Sequence, residues 1–380
     1  MESAYPLRKF VNPEIVYGNG ALALTGQYAS VFNARKVLLV SDPGVVAAGW
    51  TGLAADSLQT AGIETILFSS VSPNPREYEV MSGAERYRTE RCDAIVAVGG
   101  GSPLDCAKGI AIVSTNRCHI LDFEGVDMVE VPMPPLICIP TTAGSSADVS
   151  QFAIINDTRR QVKIAIISKA VVPDVALIDP QTTTTMPPYL TACTGLDALV
   201  HAIEAYVSSA SSPLTDLHAL QAIRLIAAWL PKAIRSPLDP VARDRVMLAS
   251  LEAGLAFSNA SLGAVHAMAH SLGGLLDLPH GECNALLLQP VIRYNYPYAA
   301  ERYQAIAAAL GVPQDSPEAL LTAIDVLREE CGIAAGLTGR GVTAAQIPSL
   351  AEKAMQDPCM VTNPRRPTTA EIEEIYGQAL

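Results

Sequence analysis

Four short apolar runs recur through the first part of the chain: KVLLVS at 36–41, IETILF at 63–68, DAIVAVGG at 93–100 and PLICIPTT at 135–142. Helical patterns lie between them, such as WTGLAADSLQTAG at 50–62 and YEVMSGAERYRTE at 78–90. Continuous apolar strands alternating with amphipathic helices are βαβ units, which assemble into a mostly parallel sheet covered on both faces. This alternation restricts the fold more than any other feature, and it stops near residue 180. From Pro187 onward nearly every segment is helix-like, as in TDLHALQAIRLIAAWL at 215–230, and the Pro- and Thr-rich DPQTTTTMPP at 179–188 marks the change. The expected architecture is α/β plus all-α, with an α/β domain at 1–184 and a helical domain at 185–380. At 380 residues the chain also exceeds the size at which one core keeps growing, so two domains follow from length as well.

Composition narrows the partners. A net charge of −12 without a Lys/Arg run disfavours nucleic acid and anionic membranes. No stretch offers the ~18 uninterrupted apolar residues of a membrane span, and MESAYPLRKFVNPEIVYG lacks the apolar core of a signal peptide. The eight cysteines, at 92, 106, 118, 138, 193, 283, 331 and 359, never form CxxC and read as reduced thiols. A soluble cytoplasmic protein is expected.

The third apolar run ends in Gly99-Gly100-Gly101-Ser102 and is followed by PLDCAKGIAIV, a helical pattern with Pro in its first turn. Strand, glycine turn and helix N-terminus make an anion site, because glycine lets a phosphate approach backbone N–H groups and the helix dipole favours its charge. A dinucleotide pyrophosphate is the natural occupant, although the spacing departs from GxGxxG and a tight turn without ligand is the alternative. Asp42, after KVLLVS, is placed to accept from ribose hydroxyls, but SDPG is also an ordinary turn. PTTAGSSAD at 140–148 and SPNP at 72–75 follow strands where doubly wound sheets present ligand loops. Lys163, in the alternating QVKIAII, reads from pattern alone as solvent-facing.

A second chemistry sits in the helical half. Four of the six histidines fall in GLDALVHAIEAY at 195–206, GAVHAMAHSLGG at 263–274 and LPHGECN at 278–284. Asp197 and His201 are four apart, as are His266 and His270, so each pair shares a helix face. Three converging segments would offer a carboxylate and several imidazoles to one divalent cation, a donor set that suits Fe²⁺, Zn²⁺, Co²⁺ or Ni²⁺. The competing reading is that these residues satisfy polar neighbours. Cys193 and Cys283 flank the motifs without the paired spacing of thiolate ligands. Glu204 shares the face of Asp197 and His201 and reads as a surface carboxylate.

Together, GGGSPLDCAK, PTTAGSS, GLDALVHAIEAY, NASLGAVHAMAHSLGG and LPHGECNALLL strongly resemble the iron-dependent (group III) alcohol dehydrogenases, and the resemblance runs to the NPR at Asn363–Arg365. It implies an N-terminal Rossmann-like dinucleotide-binding domain and a C-terminal helical metal-binding domain, as in the dehydroquinate synthase-like fold. It implies metal ligation by Asp197, His201, His266 and His280, with His270 beside the metal as a proton relay. It implies NAD contacts from Asp42, Asn74, Gly99, Gly100, Gly101, Ser102, Asp105, Thr141, Thr142, Ser145 and Lys163, Asp42 repelling a 2′-phosphate. One departure is Asp148, where the family commonly has Glu. The implied activity is reversible transfer of hydride between a primary alcohol and NAD, with Fe²⁺ (or Zn²⁺) polarising the substrate oxygen. A homodimer or larger homo-oligomer is implied too, and Phe152 and Phe257 are candidate substrate neighbours.

Three rivals differ in what they require. Zinc-dependent glycerol dehydrogenases share the architecture. Dehydroquinate synthases need basic residues around an anionic substrate, yet Arg224, Lys232, Arg235, Arg243 and Arg245 all lie outside the ligand motifs. A regulatory or sensor protein would bind metal and NAD with little flux, and turnover on simple alcohols separates it from an enzyme.

Overall fold

The computed structural model describes residues 7–314 and 316–380, and it divides into two compact units, 11–186 and 187–380, the latter joined by residues 7–10. The N-terminus thus departs from the expected 1–184 division. Arg8 explains this, because its guanidinium donates to the carbonyls of Ala210 at 3.2 Å and Ser209 at 3.2 Å and ties the segment to the helical unit. Residues 1–6, expected with the α/β domain, lie outside the described residues.

The first unit is built on a six-stranded sheet in which every pairing is parallel. Its strands are β1 (Glu14–Tyr17), β2 (Lys36–Val40), β3 (Glu64–Phe68), β4 (Ala94–Gly99), β6 (Leu136–Pro140) and β9 (Val175–Ile178), in the order β1-β9-β6-β4-β2-β3. The four apolar runs are therefore β2, β3, β4 and β6. Residue parity splits them between two cores: Leu38, Val40, Ile95 and Ala97 face one side, and Val37, Leu39, Val96 and Val98 the other. That is why the runs are apolar throughout instead of alternating. Because neighbouring strands are parallel, the loops after β2, β3, β4 and β6 emerge at one sheet edge, where ligands of such sheets bind. A second sheet, unforeseen from the sequence, pairs β5 (Gly125–Val126) with β8 (Val162–Ile167) in parallel and β8 with β7 (Phe152–Asp157) antiparallel.

The second unit contains no strand among the described residues. Pro188–Val207, Pro213–Arg235, Pro240–Ala260, Ala264–Leu276 and His280–Asn295 lead its helices. Several begin with proline in the first turn, where the missing N–H costs nothing, behind side-chain caps such as Ser212 and Asp239. Among the described residues no helix is long and apolar enough to cross a membrane.

Candidate active site

Strand β4 passes to the helix Gly101–Asn116 with only Gly100 between. What crowds this turn demands glycine: a Cβ on Gly99 would lie 2.5 Å from Pro103 Cγ, one on Gly100 3.0 Å from Thr142 Cγ2, and one on Gly101 2.9 Å from Ser145 Cβ. The Thr141 N–H donates to the Gly99 carbonyl at 2.8 Å. Adjacent parallel strands thus lay Thr141, Thr142 and Ser145 against Gly99, Gly100, Gly101 and Ser102 at a helix N-terminus that favours an anion.

The Ser102 hydroxyl accepts from the Asn74 N–H at 3.1 Å, and Asn74 Oδ1 accepts from Lys163 Nζ at 2.7 Å. Asn74 has φ of 58°, a left-handed conformation that Asn tolerates better than most side chains. Lys163 is buried, which corrects the solvent-facing reading: strand β8 is covered on both faces, so alternation there does not report exposure. Asp42 follows β2 at the same sheet edge, and its carboxylate accepts from the Val45 N–H at 3.0 Å as a helix N-cap. Burial pushes the Asp105 carboxyl up to about 7, against the opposing charges of Lys108 and Lys163.

Burial likewise raises Asp148 to about 6, opposed by a backbone hydrogen bond and Lys108. A carboxyl whose folded pKa lies above its unfolded value holds its proton better when folded, so stability falls as pH rises between the two values. We expect Asp148→Asn to gain in melting temperature over wild type from about pH 4 to about pH 6 and to level off above, since its amide does not ionise. Thermal melts of the NAD-free protein across that range check it. A constant offset at every pH would remove Asp148 as the cause.

In the helical unit, Asp197, His201 and Glu204 recur at helical spacing along one face of Pro188–Val207, and all are buried. Asp197 Oδ1 lies 4.0 Å from His201 Nε2, 3.8 Å from His266 Nε2 and 3.8 Å from His280 Nε2. The His201 ring stacks on His266 with centroids 4.6 Å apart and on Phe257 with centroids 4.2 Å apart. Phe152 belongs to β7 in the other unit. The His280 side chain keeps 25% exposure, so this is the edge of the cluster open to solvent.

The donor set fits a cation. Asn284 Nδ2 lies 2.6 Å from Asp197 Oδ1, 3.1 Å from His266 Nε2 and 3.2 Å from His280 Nε2, yet an amide nitrogen carries two hydrogens. Three acceptors cannot all be satisfied by it. The amide's own Oδ1 is buried without a hydrogen-bond partner. Electrostatics agree: burial would raise Asp197, but His201, His280 and His266 outweigh it and hold the carboxyl well below its usual range. Burial opposes charge on His266 too, and hydrogen bonds donated to Asp197 and Glu204 override it, pushing the imidazole up to about 9. The pocket is arranged to hold positive charge.

His270 stacks on His280 with centroids 5.2 Å apart, and its Nδ1 lies 2.8 Å from Asp357 Oδ2. His270 in turn holds the Asp357 carboxyl below its ordinary range, against burial. Asp357 and Asn284 escaped the sequence reading. The signal for Asp357 was weak, an Asp-Pro pair opening a short turn after a helix. Glu204 corrects the surface assignment: it is 3% exposed, and its Oε2 lies 2.6 Å from His266 Nδ1.

Residues 12–180 match the family model of iron-containing alcohol dehydrogenase, and residues 191–380 match that of the C-terminal part of the Fe-containing alcohol dehydrogenase family. Alcohol dehydrogenase 4 of Schizosaccharomyces pombe is 42% identical over 380 residues, covering 99% of this chain and 90% of that protein. The crystal structure of a 1,3-propanediol oxidoreductase superposes with a TM-score of 0.95 at 39% identity, covering 99% of this chain and 100% of the other. A sulfoacetaldehyde reductase from Bifidobacterium kashiwanohense, solved in complex with NAD+, gives 0.88 at 30% identity with 99% of both chains covered. With both units matched and relatives of this identity aligned almost end to end, the chain belongs to the iron-containing alcohol dehydrogenase family.

Proposed function

We propose that the protein interconverts a primary alcohol and its aldehyde with NAD, using a divalent cation held by Asp197, His201, His266 and His280. Bound Fe²⁺, with Zn²⁺ as the alternative, supplies Lewis acidity for the substrate oxygen, and NAD accepts or returns the hydride. The observation that carries this reading is the approach of three imidazole Nε2 atoms to within 4.0 Å of Asp197 Oδ1, beside an Asn284 amide nitrogen that touches more of the group than its two hydrogens can serve. Asp197 supplies the one anionic charge, so the set leaves a bound dication a net positive charge to place on oxygen.

His270, its Nδ1 anchored on Asp357, moves the alcohol proton towards solvent through its other ring nitrogen. Gly99–Ser102, Asp105, Thr141, Thr142 and Ser145 cradle the dinucleotide phosphates, with Asn74 and Lys163 braced to each other beside them. Asp42 takes the ribose and repels a 2′-phosphate. The setting that goes with this chemistry is a cytoplasmic homo-oligomer acting on a small molecule and not on nucleic acid. The eight free cysteines support the compartment, and the net charge of −12 disfavours nucleic acid.

The test is metal analysis of anaerobically purified protein together with NAD reduction across a panel of primary alcohols. About one iron per chain is expected, with turnover lost on chelation and restored by Fe²⁺. Metal and NAD binding without turnover on any alcohol or aldehyde would overturn the enzyme reading in favour of a sensor.

A further inference from the structure

The helix Ala264–Leu276, which carries His266 and His270, starts without a cap of its own: Gly263 offers no side chain to its first N–H groups. Acceptors come from elsewhere in the chain. Asn363 Oδ1 accepts from the Ala264 N–H at 3.1 Å. Glu204 Oε1 accepts from the Val265 N–H at 2.7 Å, and Oε2 from the His266 N–H at 3.3 Å. The same Oε2 takes the His266 ring through Nδ1 at 2.6 Å. Among the described residues the ion-pair partner of this buried carboxylate is His266 and no Lys or Arg. A buried charge needs such compensation, and all of it here comes from one helix N-terminus and one imidazole.

We propose that Glu204 is a positioning residue that sets cation affinity by fixing both the backbone and the ring of His266. It rests on the metal-site reading above and deepens it. In the neutral ring that a cation requires, the Nδ1 proton shared with the carboxylate leaves the lone pair on Nε2, which lies near Asp197 Oδ1 and the Asn284 amide. Fixing this tautomer removes the entropy of choosing it and makes the ring a stronger donor, as carboxylate–histidine pairs do in other metal sites. Capping alone would not require the contact to Nδ1, and ring orientation alone would not require the contacts to Val265 and His266 N–H.

The test is a chelator-competition titration of the metal-stripped full chain with Zn²⁺ and Co²⁺, for wild type, Glu204→Gln and Asn363→Ala. Glutamine keeps the shape but cannot accept from two backbone N–H groups and a ring N–H at once. Its cation affinity is expected to fall ~10–100-fold, with an altered visible spectrum of bound Co²⁺. Asn363→Ala removes the neighbouring cap without touching the ring, so it should lower the melting temperature while holding affinity within about threefold of wild type. Glu204→Asp, which keeps the charge and retracts it by one methylene, reads the same quantity should the glutamine variant not fold, and an intermediate affinity supports the proposal. Unchanged affinity in the folded Glu204 variant, or an equal loss in Asn363→Ala, overturns it. A wild-type chain that takes up neither cation overturns the metal-site reading itself, and this proposal with it.

Discussion

Asp197→Ala is expected to lose both the cation and turnover while keeping its fold. Asp197 is the one anionic member of the ligand group, so its removal leaves neutral imidazoles to hold a dication. Lewis-acid stabilisation is worth several kcal/mol, so kcat/KM should drop by ~10³-fold or more. Burial works against the Asp197 charge, and only the surrounding histidines sustain it. Its loss therefore leaves the buried imidazoles and the Asn284 amide without their shared acceptor, and the apo melting temperature should fall although the chain still folds. Metal content by mass spectrometry, kinetics on a primary alcohol and an apo melt measure the three quantities separately. Retention of one cation per chain with turnover near that of wild type would dismiss Asp197 as a ligand.

The second large effect is expected at Gly281. A Cβ there would run into the carbonyl of Cys193 and would lie 3.1 Å from Asp197 Cβ, both on the helix Pro188–Val207. The first turn of His280–Asn295 has no flexible neighbour to displace, so Gly281→Ala must push the two helices apart. Overpacking of this kind costs ~1–3 kcal/mol or more, and here it also moves His280 relative to Asp197. We expect a lower melting temperature and weakened cation binding together. Gly377→Ala is the control, because that glycine lies in the helix Thr369–Ala379 and a Cβ there meets nothing within 4 Å. The same substitution should there stabilise by ~0.5–1 kcal/mol. Gly281→Ala melting and binding like wild type would show that the contact yields.

Legibility followed the physics of each signal. Strands β2, β4 and β6 were readable because both sheet faces are covered and their apolar runs are unbroken, and the edge strand β3 because Ile66 and Phe68 pack on one of those faces. The sheet of β5, β7 and β8 was not, since β5 is two residues long and β8 carries a lysine whose partner, Asn74, is 89 residues away. Helical periodicity put Glu204 on the metal face, but residue type alone sent it to the surface. Spacing could not rank His270 against His266, as both occupy one helix face. Both rings have Nδ1 engaged by a carboxylate, His266 by Glu204 and His270 by Asp357, so what separates them is His266 Nε2 lying 3.8 Å from Asp197 Oδ1. The resemblance supplied that assignment where the pattern could not.

Order of synthesis gives the borrowed braces of the Ala264–Leu276 helix a temporal meaning. Every proposed ligand has been made by His280, whereas Asp357 and Asn363, which hold His270 and the helix start, come later in the chain. At elongation rates of ~5–20 residues per second, the imidazoles wait on the order of ten seconds for those partners. During that interval His270 and the start of its helix lack the partners that fix them in the finished fold. A cation held by the proposed ligands would therefore meet their finished geometry only after the chain has closed behind them.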